Sequence, residues 1–255
     1  MKKLLFVELR RLWSIPTIVL GCLMVFLGMT FSPLTLYIIS LNVTHTAFKL
    51  NVSESFLQVQ SGIGLLCSAF FAAGIIANDL KSGWMRSLLA RPITRQSFLA
   101  IKLSVVFASI CAVMLIASLL PIGIVAVLQG TVPEFHPLEL FQIIIGGFGQ
   151  ILIYVIMSAI LSCFLPGNYN LIALFIWGIF GSLSNMLLEK YFWNNRWVFI
   201  ANELVFPRRL TDFAQSALTQ SVSMNDLVWG MASLSMLLAA SFYLINTIQT
   251  DKTAE

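Results

Sequence analysis

Asn78–Lys102 reads NDLKSGWMRSLLARPITRQSFLAIK, and it lies between two long apolar stretches. Its basic residues are Lys81, Arg86, Arg91, Arg95 and Lys102. Asp79 to Ala90 can form a short helix on which Leu80, Trp84 and Leu88 share a face, with Leu89 beside them. Pro92 ends it, because proline disfavours a helical residue before it. Thr94 can cap the helix that follows and leads through Phe98 into the next apolar run. A basic amphipathic segment between two membrane spans sits at a membrane surface, held by anionic lipid or docked in a cleft of a soluble partner.

The rest of the chain explains why that segment stands out. Of 255 residues, 58% are hydrophobic and 10% charged, with a mean hydropathy of +0.90. A soluble domain carries about 25% charged residues. The composition predicts a single integral membrane domain over 1–255. Cys22, Cys67, Cys111 and Cys163 all fall in apolar stretches and read as small apolar residues rather than a disulfide set.

A bilayer core of about 30 Å takes roughly 20 apolar residues as a helix. On that rule the sequence predicts an all-α protein with six transmembrane helices, at about 15–39, 57–77, 103–128, 140–165, 171–188 and 227–248. Pro121 is a predicted kink in the third. Basic residues crowd the N-terminal tail (Lys2, Lys3, Arg10, Arg11) and the 78–98 linker. With an even number of spans this puts both termini and the linker in the cytoplasm and the 189–226 loop outside. Arg208 and Arg209 in that outer loop break the pattern.

Residues 1–13 predict an amphipathic elbow helix on the membrane surface, with Glu8, Arg10 and Arg11 polar and Trp13 at the headgroup layer. A cleaved signal is the rival, since Val19–Cys22 resembles a lipoprotein box, but apolar sequence runs on well past Cys22. Tyr191, Phe192, Trp193 and Trp197 mark an interfacial belt or a substrate-facing surface.

Catalytic chemistry has no sequence support. There is no phosphate loop, and His45 and His136 lack partners at a ligand spacing, so neither a catalytic nor a metal site is expected. No acid or base sits at the middle of a predicted span, as an ion-coupled carrier requires. Energy for any transport has to come from elsewhere. Ser61, Gln150, Ser182 and Asn185 are the polar residues that either line a substrate path or join helices across an interface. Gly146, Gly147 and Gly149, with Gly178 and Gly181, predict close-packing faces.

Ser82–Arg95, followed by Lys102-Leu103, resembles the pattern E-x-x-x-G-T-L-x-x-L-L-x-x-P-[IV]-[ST]-R…G-K-L of the membrane subunits of type-2 ATP-binding-cassette exporters. Glu8-Leu9-Arg10-Arg11-Leu12 resembles the elbow of that family. Asp79 stands where Glu is usual, Trp84 where Thr is usual, and Ile101 where Gly is usual. The resemblance implies a permease subunit in a bacterial plasma or inner membrane. It implies pairing with a second permease, identical or homologous, around a substrate path. It also implies separate ABC-type ATPase subunits that carry the ATP and Mg; this chain binds no cofactor and no nucleic acid. Asp79, Leu80, Gly83, Trp84, Arg86, Leu88, Leu89, Arg91, Pro92 and Arg95 are the implied ATPase-docking residues of a cytoplasmic coupling helix between the second and third spans. Broken or amphipathic structure between the last two spans, near Phe206-Pro207, would close the path on the outside. The alternative reading is a non-transporting accessory or scaffolding membrane protein.

Overall fold

The computed structural model describes residues 2–13, 15–30, 37–41, 51–60, 69, 71–72, 94–130, 136–165, 168–191, 196–205, 208–219 and 222–251. Among these the long elements are nine α-helices: α1 (Lys2–Leu12), α2 (Ile15–Thr30), α3 (Val52–Val59), α4 (Arg95–Gln129), α5 (Pro137–Ser162), α6 (Asn168–Tyr191), α7 (Arg196–Val205), α8 (Arg209–Ser216) and α9 (Met224–Asp251). A 3-10 turn, Ala217–Thr219, follows α8.

The helix ends follow local chemistry. Asn51 caps α3, its side chain accepting from the backbone of Ser53 at 2.9 Å and of Glu54 at 3.3 Å. Thr94 caps α4 by accepting from the Ser97 backbone at 3.3 Å, as the sequence predicts. Gly130 ends α4 at φ 63°, a left-handed conformation that glycine adopts without a side-chain penalty. Pro137 opens α5 at its first turn, where its missing donor costs nothing. α4 runs past Pro121 as one helix of 35 residues, with no break at the expected kink.

At 1.5 Å per residue α4 is about 52 Å long, well beyond an apolar core of about 30 Å. Its first turns, which carry Phe98 and Lys102, therefore have room to stand clear of the hydrocarbon. The main core forms where α4 meets α2 and α5, around Ile110, Val113, Met114, Ile151, Val155 and Ala159. A second cluster joins α3 to the far ends of α4 and α5 through Phe56, Ile122, Val125 and Ile143. A third joins α5, α8 and α9 through Ile153, Ile156, Leu210, Leu234 and Leu237. α9 therefore runs parallel to α5. It starts near α8 and ends towards α1, where Phe242 packs on the cluster that holds Leu12 and Phe98. Apolar side chains such as Val127, Ile179 and Tyr243 face outward on these helices, as they do where lipid covers a protein.

The expected six spans are not what the structure presents. Among the described residues, three helices are long and apolar enough to cross a membrane: Gln96–Gln129, Pro137–Ser162 and Met224–Leu244. They correspond to the spans predicted at 103–128, 140–165 and 227–248. Within the 15–39 span, the described part of α2 is Ile15–Thr30, with a shorter apolar helix at Ile18–Gly28, and residues 31–36 lie outside the described residues. Within the 171–188 span, α6 is 24 residues long, and among the described residues it counts as a shorter apolar helix at Tyr169–Gly181. The 57–77 span falls mostly outside the described residues. Counting apolar residues along a chain overestimates spans, because crossing needs about 20 of them in one unbroken helix. The even count that placed both termini on one side goes with it. The result is a mostly helical protein with a few long apolar helices of the kind that cross membranes.

Candidate functional site

Two places in the fold gather polar chemistry. The first is the start of α4. α1 packs against it with an inverted pattern: Glu8 and Leu12 are buried, while Phe6, Val7, Leu9 and Arg10 are exposed. The reason is Lys102, whose Nζ lies 3.6 Å from Glu8 Oε2 and 5.4 Å from the centre of the Phe98 ring. Both side chains of the pair are at most 4% exposed. Glu8 Oε1 is buried without a hydrogen bond. Trp13 is half-buried against the main core, directly after α1.

The second place is around α8, against the middle of α5. Gly146 and Gly149 on α5 and Gly230 on α9 line a groove that receives Leu210, which is fully buried. A Cβ on Gly149 would lie 2.8 Å from Leu210 Cδ1, and one on Gly230 would lie 2.5 Å from Leu210 Cγ. A Cβ on Gly146 would lie 2.7 Å from Ala214 Cβ. Gly147 faces the other way and admits the Gln60 carboxamide, whose two polar atoms are buried without hydrogen bonds. The glycines of α5 are thus packing faces, as the sequence predicts, serving a neighbour on each side. The groove lies about 14–18 Å along α5 from Pro137, near the middle of that helix. α8 is therefore a short helix packed against the middle of α5.

Charges hold α8 in place. Arg209 Nη1 donates to Asp226 Oδ1 at 2.7 Å, and Arg209 Nε lies 3.4 Å from Glu203 Oε2. One guanidinium thereby bridges α7, α8 and the first turn of α9. Ser223 Oγ donates to the other Asp226 oxygen. Arg208 Nε donates to Asp212 Oδ1 at 3.2 Å, one helical turn away. Ser233 Oγ donates to the Trp229 carbonyl of its own helix at 2.9 Å and lies 3.3 Å from the Glu203 carbonyl of α7. Burial pushes the Glu203 and Asp212 carboxyls above their ordinary range, more than the arginines pull them down. Burial also opposes the charge on Arg209, but the Asp226 hydrogen bond and the Glu203 charge more than restore it.

A buried amide joins α6 to α5. Asn170 Nδ2 donates to Ser162 Oγ at 2.6 Å, to the Ser158 carbonyl at 3.1 Å and to Ser158 Oγ at 3.3 Å. Among the described residues no group of three His, Cys, Asp or Glu side chains could hold a metal ion.

The sequence-predicted residues are distributed unevenly over these places. Asp79, Leu80, Gly83, Trp84, Arg86, Leu88, Leu89, Arg91 and Pro92 lie outside the described residues, as does Ser61. Arg95 opens α4 and Arg11 lies in α1. Gln150 is half-buried on α5, and Ser182 and Asn185 lie on α6. The sequence reading missed Lys102 as the partner of Glu8, and it missed the Glu203–Arg209–Asp226 cluster altogether. The pair Arg208-Arg209, out of place in an outer loop, was the available signal for the second. No protein-family model matches the chain, and no curated protein matches it in sequence.

Proposed function

We propose that the chain is the membrane subunit of an ATP-binding-cassette exporter, coupled through its 78–98 linker to separate ATPase subunits. The observation that carries this reading is the way the linker enters the bundle. It passes through the Thr94 cap directly into α4, the longest helix described, and α1 is keyed to the base of α4 by the buried Glu8–Lys102 pair. A displacement of the linker is thus delivered to a rigid lever and to the elbow helix together. ATP binding on a partner would favour one arrangement of the helices over another through that lever.

On this reading the linker, α1 and the end of α9 face the cytoplasm, in line with the basic residues at that end. α8 and its glycine groove face the other side of a plasma or inner membrane. A second permease, identical or homologous, completes the path, and ATP and Mg stay on the ATPase subunits. A short helix such as α8, packed against the middle of α5, fits the wall of such a path.

The test is purification from the native membrane in mild detergent with trapped nucleotide. A stoichiometric ATPase subunit in the sample supports the reading. Its absence under those conditions moves the accessory or scaffolding role to the front.

A further inference from the structure

We propose that Gln60 and Ser118, beside the bare backbone of Gly147, form a binding site inside the bundle for a small uncharged ligand, an internal water molecule. The site lies apart from the linker and from the α8 groove. It goes beyond the exporter reading and does not rest on it.

Gln60 follows α3 directly and is 7% exposed. Its carboxamide lies so close to Gly147 that a Cβ there would overlap Gln60 Oε1 and stand 2.8 Å from Nε2. Neither polar atom makes a hydrogen bond. Ser118 on α4 is 1% exposed, and its Oγ is also buried without a hydrogen bond. A helical serine usually returns its proton to its own helix. Ser104, Ser162 and Ser235 do so, each donating to the carbonyl four residues back. Ser118 does not.

The register of three helices puts these groups at one level. On α5, Gly147 lies one turn from Ile143, in the cluster with Phe56, and one turn from Ile151, in the main core. On α4, Ser118 lies one turn from Ile122, in the cluster with Phe56, and one turn from Met114, in the main core. On the α3 side, Phe56 precedes Gln60 by one turn, and its neighbour Val59 belongs to the main core. α3, α4 and α5 pack on one another in each pairing. Gln60 and Ser118 thus share the seam between two apolar clusters, about 15 Å along α5 from Pro137.

The seam selects its ligand by chemistry. A carboxamide offers a donor and an acceptor, and a hydroxyl offers either. A buried water makes two to four hydrogen bonds to such groups, and it relieves polar atoms that packing has taken out of solvent. An ion finds no counter-charge there. The charged residue of α5 is Glu139, in its first turn, and those of α4 are Arg95 and Lys102, at its opposite end. Glu54 on α3 is exposed.

The experiment is hydroxyl-radical labelling of the full-length protein in detergent, by X-ray irradiation after long equilibration in oxygen-18 water. Phe56 and Met114 flank the seam and are 2% and 0% exposed. A water held beside them produces radicals on the spot, so both should take up label although bulk solvent does not reach them. In Gln60→Leu/Ser118→Ala their labelling should fall several-fold, while exposed Met224 and Met231 label as before. No label at Phe56 and Met114 in the unaltered protein would overturn the proposal. So would equal label in the variant. Raised label at the buried Met24 would show that the double variant has opened, and Ser118→Ala alone then makes the same comparison. None of these readouts needs a bound ATPase, so they stand apart from the co-purification result.

Discussion

Lys102 Nζ meets Glu8 Oε2 at 3.6 Å with both side chains almost wholly out of water, and so fastens α1 to the root of α4. Removing one member of a buried ion pair leaves an uncompensated charge, at a cost of about 3–5 kcal/mol. Lys102→Met should therefore lower the unfolding midpoint sharply in detergent. Glu8→Leu combined with Lys102→Met should recover most of the loss. If the double variant is as unstable as the single one, the pair does not act as a unit.

Leu210 fills the groove between α5 and α9. Leu210→Ala should cost about 2–5 kcal/mol through the cavity it leaves. Gly149→Val puts new atoms where Leu210 Cδ1 already sits and should cost about 1–3 kcal/mol. Combining the two should cost less than their sum, because each relieves the other's misfit. Thermal unfolding of the four proteins completes the cycle.

Asn170 reaches across to two serines of α5 from a position with no exposed surface. Asn170→Ala should destabilise by about 1–3 kcal/mol, since buried hydroxyls and a carbonyl lose a donor. Calorimetry or chemical denaturation of the purified chain checks this.

The raised carboxyls at Glu203 and Asp212 set a direction for pH dependence. The folded protein binds these protons more tightly than the unfolded chain does. Stability from the two groups therefore rises as pH falls through their raised folded values, and levels off below the ordinary carboxylate range. The unfolding midpoint of Glu203→Gln/Asp212→Asn, relative to that of the unaltered protein, should rise as pH rises from about 5 to about 7.5. A gap that does not change with pH would count against the burial of these acids.

Trp84 and Leu88 lie outside the described residues, and their prediction comes from the sequence. Trp84→Ala or Leu88→Asp should release an ATPase subunit during purification without changing the unfolding midpoint. Normal assembly and transport in both variants would reduce the linker to a surface connector.

The membrane character of the chain was legible in its composition, and so were the Thr94 cap and the glycine faces of α5. These are properties of residue type and local spacing. The number of crossing helices was not legible, because apolar runs such as 15–39 and 171–188 say nothing about where a helix stops. Among the described residues these two stretches give only the shorter apolar helices Ile18–Gly28 and Tyr169–Gly181. The Gln60 carboxamide against Gly147 was equally hidden, since nothing near either residue in sequence points to the other.

The amino-acid sequence by itself determined a helical, lipid-compatible chain with a basic segment at 78–102, because hydropathy and charge are carried by each residue alone. Only the tertiary structure decided that Glu8 belongs to Lys102 and that Arg209 joins Glu203 to Asp226. Attraction between charges depends on distance and on the water around them, and both are set by how the helices pack.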